Sequence, residues 1–146
     1  MRKGQMLLEV VLALAVMMLV MVGLVGLSTR SIKNSDFSRS QVEATSYANE
    51  AMEWIRSERV RLGWPLFFPK SGSTYCLSSL GAWPVVGVCT NNFITGSRPG
   101  MDYTRQATLT TIQATTPQRV QVTVTVKWDQ GGKIYSAKQD AIFTQY

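Results

Sequence analysis

The chain of 146 residues contains no histidine. That excludes histidine-ligated metal centres and every nucleophile–histidine arrangement, two common routes to chemistry in a small domain. It has only two cysteines, Cys76 and Cys89, half of a four-thiolate zinc site at best. Charged residues make up 16% of the chain, and 15 lysines and arginines outnumber 9 acids, for a net charge of +6. That is basic, but short of the charge density of a nucleic-acid module, and no such module's signature is present. None of the 5 prolines comes before Pro65, so no proline breaks a helix in the long stretch ahead of it. No glycine-rich phosphate loop is present either, because Gly131-Gly132 falls between two strand-like runs. Serine is plentiful, yet nothing beside it serves as a base. The chain therefore reads as a non-enzyme, with no catalytic residue, no metal and no cofactor.

Charge is scarcest near the start. From Met6 to Leu27 the only charged residue is Glu9, and the remainder is mostly Leu, Val, Met and Ala with Gly23 and Gly26. About 20 apolar residues span a bilayer as a helix, and this run is long enough. Glu9 lies roughly 7.5 Å into such a helix, counted from Gln5. A carboxylate in hydrocarbon costs roughly 2.5–3.5 kcal/mol at mid-helix and less near an end. It either snorkels to the interface or meets a cation. A chain cut after Gly4 would supply one, as the free α-ammonium of Gln5, its own or a neighbour's. A secretory signal has a shorter apolar region, and a lipoprotein signal needs a cysteine here. An ordinary single-pass anchor stays open. Arg2 and Lys3 flank one end and Arg30, Lys33 and Arg39 the other, so charge alone does not set the orientation.

Met1-Arg2-Lys3-Gly4, then Gln5-Met6-Leu7-Leu8-Glu9-Val10 and the apolar run, resembles the class III signal of type IV prepilins and pseudopilins. The match extends through Ala15 and is most similar to the minor-subunit branch, the I-type pseudopilins of type II secretion and V-type minor pilins. The resemblance implies cleavage by a prepilin peptidase between Gly4 and Gln5, N-methylation of Gln5, and an assembly role for Glu9. The family usually has Phe or Met where this chain has Gln5. The implied partners are other pilins or pseudopilins, the peptidase, an inner-membrane assembly platform, and lipid before assembly. The implied location is the bacterial inner membrane, single-pass with the C-terminal domain outside the cytoplasm, then a pilus or pseudopilus. The implied fold is α+β, a long N-terminal helix packed on a C-terminal antiparallel sheet.

The resemblance makes residues 1–4 the leader and 5–27 the transmembrane and assembly helix; periodicity makes 28–62 its amphipathic continuation. Ala44, Ala48, Ala51, Met52, Ile55 and Leu62 fall on one stripe. Glu43, Glu50, Glu53, Arg56 and Arg59 lie mostly off it. Arg39–Glu43 and Glu53–Arg56 stand at helix-neighbour spacing, and Gly63-Trp64-Pro65 is a stop. Residues 63–102 read as a connecting loop region with a short strand near Trp83–Val88. A disulfide between Cys76 and Cys89 would pin it by closing a loop of about 14 residues, worth roughly 3 kcal/mol; two buried free thiols are the other reading. Trp64, Phe67, Phe68, Tyr75, Trp83 and Phe93 read as core and lid packing, with a partner-facing patch as the alternative.

Residues 103–146 read as three or four antiparallel strands. From Arg119 to Trp128 the alternation is unbroken, with Val120, Val122, Val124, Val126 and Trp128 on one side. Asp129-Gln130-Gly131-Gly132 reads as a hairpin connection. Thr108, Thr110, Thr123 and Thr125 read as exposed sheet, Asp102, Asp129 and Asp140 as solvated charges near strand ends, and Phe143 and Tyr146 as packing at the sheet edge. Lys127, Lys133 and Lys138 suggest a modest basic strip. The reading is thus a minor structural subunit of a type IV pilus or type II secretion pseudopilus. A membrane-anchored binding domain that never assembles and a DNA-uptake tip subunit are the alternatives, with DNA not expected as a partner.

Overall fold

The computed structural model describes residues 2–90, 93–97 and 99–145, with the backbone alone described for residues 2–5. Tyr146 lies outside the described residues. Helix α1 runs Arg2–Leu62. It ends where Gly63, at φ 70°, takes up the left-handed conformation that favours glycine, its N–H donating to the Arg59 carbonyl at 3.1 Å. A short helix α2 (Trp64–Phe67) and a single 3₁₀ turn (Phe68–Lys70) follow. Five strands come next: β1 (Ser73–Cys76), β2 (Ile94–Thr95), β3 (Asp102–Gln113), β4 (Arg119–Gln130) and β5 (Lys133–Thr144). All pairs are antiparallel, in the order β1-β3-β4-β5, with β2 also on β3. The architecture is α+β, with the Ser40–Leu62 part of the long helix packed on the sheet.

The chain divides into two compact units, Met1–Arg39 and Ser40–Tyr146. In the first, every large apolar side chain from Met6 to Leu27 is exposed, from 52% at Leu14 to 74% at Leu19. Over 18 residues this helix reaches a mean hydropathy of 2.9, which makes it long and apolar enough to cross a membrane. A Cβ added at Gly23 or Gly26 meets nothing within 4 Å.

In the second unit the expected stripe is the core. Ala44, Ala48, Ala51, Met52 and Ile55 are buried, and Leu62 at the end of α1 is half-buried. Facing the same core are Val120, Val122, Val124, Val126 and Trp128 of β4 and Tyr103, Ala107 and Leu109 of β3. β4 is flanked by strands on both sides, and its alternation survives because both neighbours share its pleat. Gly131 and Gly132, at φ 68° and 78°, form the two-residue turn from β4 to β5.

Two expectations give way here. Trp83–Val88 is not a strand: Val86 makes a single bridge to Tyr75, because Pro84 lacks an N–H and Gly87 turns the backbone. The strands within residues 63–101 are Ser73–Cys76 and Ile94–Thr95 instead. Thr125 is buried at 8% exposure, enclosed between Gln106 and Lys138 on the neighbouring strands.

Truncating Ile55 to Ala should therefore cost about 2–5 kcal/mol. Val60→Ala, at a site 76% exposed, should stay within about 0.5 kcal/mol. Denaturant midpoints of the two variants check this; equal losses would place the core elsewhere.

Candidate functional site

Of the residues singled out from sequence, Gly4 and Gln5 lie in the first turns of α1, and their side-chain surroundings lie outside the described residues. Glu9 is on the exposed surface of the apolar helix, and no cation pairs with it among the described residues. A carboxylate there in lipid turns to the interface or to a cation.

Cys76 and Cys89 form a disulfide, with an S–S distance of 2.01 Å and a Cα–Cα distance of 4.9 Å. It joins the end of β1 to the segment beyond Val88. The intervening chain is also held by its aromatic residues. The Trp83 ring lies 5.1 Å from Trp54, 5.2 Å from Tyr75 and 6.2 Å from Phe67, and Lys70 Nζ sits 4.7 Å above it. Phe67 continues the cluster to Phe143 at 5.5 Å. Most of the aromatic segment is thus packing, and Phe93 is the exposed exception at 52%.

Three carboxylates beside the alanine stripe were not read from sequence as anchors. Glu43, spaced to pair with Arg39, instead takes three donors, one each from a loop, the sheet and its own helix. The Ser97 N–H reaches Oε1 at 2.6 Å, the Tyr47 hydroxyl Oε1 at 3.1 Å and the Tyr103 hydroxyl Oε2 at 3.0 Å. Burial by itself would raise the Glu43 carboxyl; the bonds from Ser97, Tyr103 and Tyr47 outweigh it and hold it below the usual carboxylate range. Arg105 sits at a core-facing position of β3 and is 3% exposed. Its Nε donates to the Leu77 carbonyl at 2.9 Å, and its Nη1 to the Tyr47 carbonyl at 3.1 Å and Glu50 Oε2 at 2.8 Å. Glu58 is buried and takes a two-pronged bond from Arg61, both distances 2.7 Å. That guanidinium holds its carboxyl below the usual range. Glu53–Arg56 forms as its spacing predicts, at 2.8 Å.

The basic strip does not form on one face. Lys127 and Lys138 point to the outer side of the sheet, while Lys133, by alternation, points to the core side and lies 5.4 Å from the Tyr135 ring. Asp102 and Asp129 share a cleft of about 390 Å³ with Phe93, Thr104, Lys127 and Ile134. Asp140 accepts a bond from Thr123. Among the described residues, no group of three or more His, Cys, Asp or Glu side chains is placed to hold a metal ion.

No family model, no curated protein and no solved structure matches this chain. What it does has to be argued from its own residues.

Replacing both cysteines by Ser should lower stability by roughly 3 kcal/mol, the loop-closure contribution. The denaturant midpoint of that variant measures it, and an unchanged midpoint would show the aromatic cluster sufficient by itself. Glu43 and Glu58 both have folded pKa values below the ordinary carboxylate value near 4.5. Their stabilisation is complete above that value and is lost as pH falls through the lowered ones. Glu43→Gln should therefore be less stable than the parent at pH 7 and lose less on acidification. Parallel acid-unfolding slopes for the two proteins would count against the clamp.

Proposed function

We propose that the chain is a minor structural subunit of a type IV pilus or a type II secretion pseudopilus, and not an enzyme. The observation that carries the reading is one exposed apolar helix with a lone carboxylate, Glu9, five residues past a Gly4 that ends a short basic leader. The continuation of that helix on an antiparallel sheet fits it, as does the disulfide, which belongs in an oxidising compartment outside the cytoplasm. In this reading Arg2 and Lys3 stay in the cytoplasm, the helix anchors the chain in the inner membrane, and prepilin peptidase cuts between Gly4 and Gln5 and methylates Gln5.

The helix then leaves lipid for a bundle of other pilin helices on the assembly platform. An ammonium, from its own Gln5 or a neighbour's, meets Glu9 there. Pairing offsets the cost of burying the carboxylate and penalises helices out of register, where both charges stay unpaired. The exposed faces of Gly23 and Gly26 allow close helix approach.

The intact mass and N-terminal residue of the protein from native membranes test the reading. Loss of Met1–Gly4 with an added methyl group is the expected result, and Gly4→Ala should retain the leader. Glu9→Leu should insert in the membrane normally but enter filaments far less, read by the ratio in sheared filaments to that in membranes. A retained leader in the parent chain, together with normal function, would reduce the protein to a membrane-anchored domain.

A further inference from the structure

The C-terminal end of the apolar run is basic. Met6 to Leu27 rises about 32 Å as a helix, close to the thickness of a bilayer's hydrocarbon core. With that run in a bilayer, Arg30 stands about 4.5 Å beyond Leu27 and Lys33 about 9 Å beyond it. The headgroup layer adds roughly 5–7 Å on each side of the hydrocarbon. Arg30 therefore falls within that layer, and Lys33 reaches back into it along its flexible stem. Both side chains are exposed, and neither makes an ion pair among the described residues. Asp36 is the sole acid between Leu27 and Glu43, one turn past Lys33 and further from the run.

Arg30 and Lys33 also share one side of α1. Residues three apart are neighbours on a helix, so a single phosphate fits between the guanidinium and the ammonium. Asn34, four residues past Arg30, adds an amide donor on the same side. Toward the run, that side continues through Gly26 and Gly23, four and seven residues before Arg30. A Cβ added at either glycine meets nothing within 4 Å. Below the two bases the helix surface is therefore open and free of side chains, which leaves room for part of an acyl chain. Arg39, the third base of this segment, stands nine residues past Arg30 and so on the opposite side of the helix.

We propose that Arg30 and Lys33 form a binding site for one anionic phospholipid. Its phosphate lies between the two bases, and one acyl chain runs along Gly26 and Gly23. Charge selects the lipid class. A headgroup that carries its own ammonium already neutralises its phosphate, whereas a glycerol headgroup leaves a net negative charge for the two bases. The inference rests on the membrane helix of the subunit reading above and deepens it. Before assembly the lipid covers the side of α1 that bears the glycines, and a second helix packing on that side has to displace it.

The test uses the full chain in nanodiscs of equal phosphatidylglycerol and phosphatidylcholine with matched acyl chains. Lipids that stay on the protein when the disc is stripped away are counted by native mass spectrometry. The parent should retain phosphatidylglycerol over phosphatidylcholine about thirtyfold, at about fivefold for each base. Arg30→Gln with Lys33→Gln should bring the ratio to about one. Lys33→Ser with Ser31→Lys keeps the net charge and moves one base about 160° round the helix, so it should cost about fivefold. Arg39→Gln should leave the ratio unchanged. All four positions are exposed, so the variants fold as the parent does. Equal retention of both lipids by the parent overturns the site. A full preference in the moved-base variant, or an equal loss in Arg39→Gln, overturns it in favour of diffuse surface charge. Displacement of the lipid by millimolar inorganic phosphate would overturn the lipid as ligand in favour of a free anion. A retained leader, read by intact mass, would sink the pilus reading alone and leave the retention ratio to decide the site. Recovery of the chain in the soluble fraction of native cells would overturn the membrane helix and the site together.

Discussion

The second half of α1 depends on three alanines. Ala44, Ala48 and Ala51 are buried with almost no exposed surface, and side chains this small let a helix backbone come close to a sheet. The rest of the domain follows from that approach. Along this face Arg105 reaches the Tyr47 carbonyl, and the Glu43 carboxylate reaches Ser97 and Tyr103. Larger residues would widen the gap and leave a guanidinium and a carboxylate without partners, which costs more than the packing gained. Met52 and Ile55 fill the space that the alanines leave further along. The core is apolar in the middle and bordered by charge-assisted bonds, of which those of Glu43 and Glu50 join α1 to Ser97 and to β3.

The same helix meets a different solvent in its first half. There apolar side chains cover every face, and none is buried. An amphipathic helix can be satisfied by one sheet, whereas a helix apolar all round needs either lipid or several neighbours. The change from one pattern to the other happens without a break in α1, consistent with the absence of proline before Pro65.

Much of this was legible in the sequence because periodicity is a local signal. The stripe of Ala44–Ile55, the alternation of Val120–Trp128 and the Gly131-Gly132 turn all follow from spacing within one element. What was not legible depends on partners far along the chain. Glu43 has a suitable neighbour in Arg39, and only the fold brings Ser97 and Tyr103 closer. Arg105 did leave a signal: it interrupts the core-facing series Tyr103, Ala107, Leu109 with a charge, and a charge at a core position requires a partner. β1 was hidden because four residues ending in a cysteine carry too short a pattern to distinguish from loop. The basic strip failed at Lys133, where odd-numbered parity sends the side chain to the other face.

The carboxylates of the chain then divide into two kinds. Glu58 has Arg61, Glu50 has Arg105, and Glu43 has a backbone N–H and two phenols. Each lies near the core of the second unit, and each is answered from within the chain. Glu9 lies on an apolar helix, where an unanswered charge costs most, and no described residue answers it. Among the described residues, then, Glu43, Glu50 and Glu58 have partners and Glu9 has none. Lipid headgroups would provide no fixed geometry, whereas an ammonium on a packed neighbour would provide both the charge and a register. In the proposed reading Glu9 contributes little to folding the domain and acts when a second helix packs beside it.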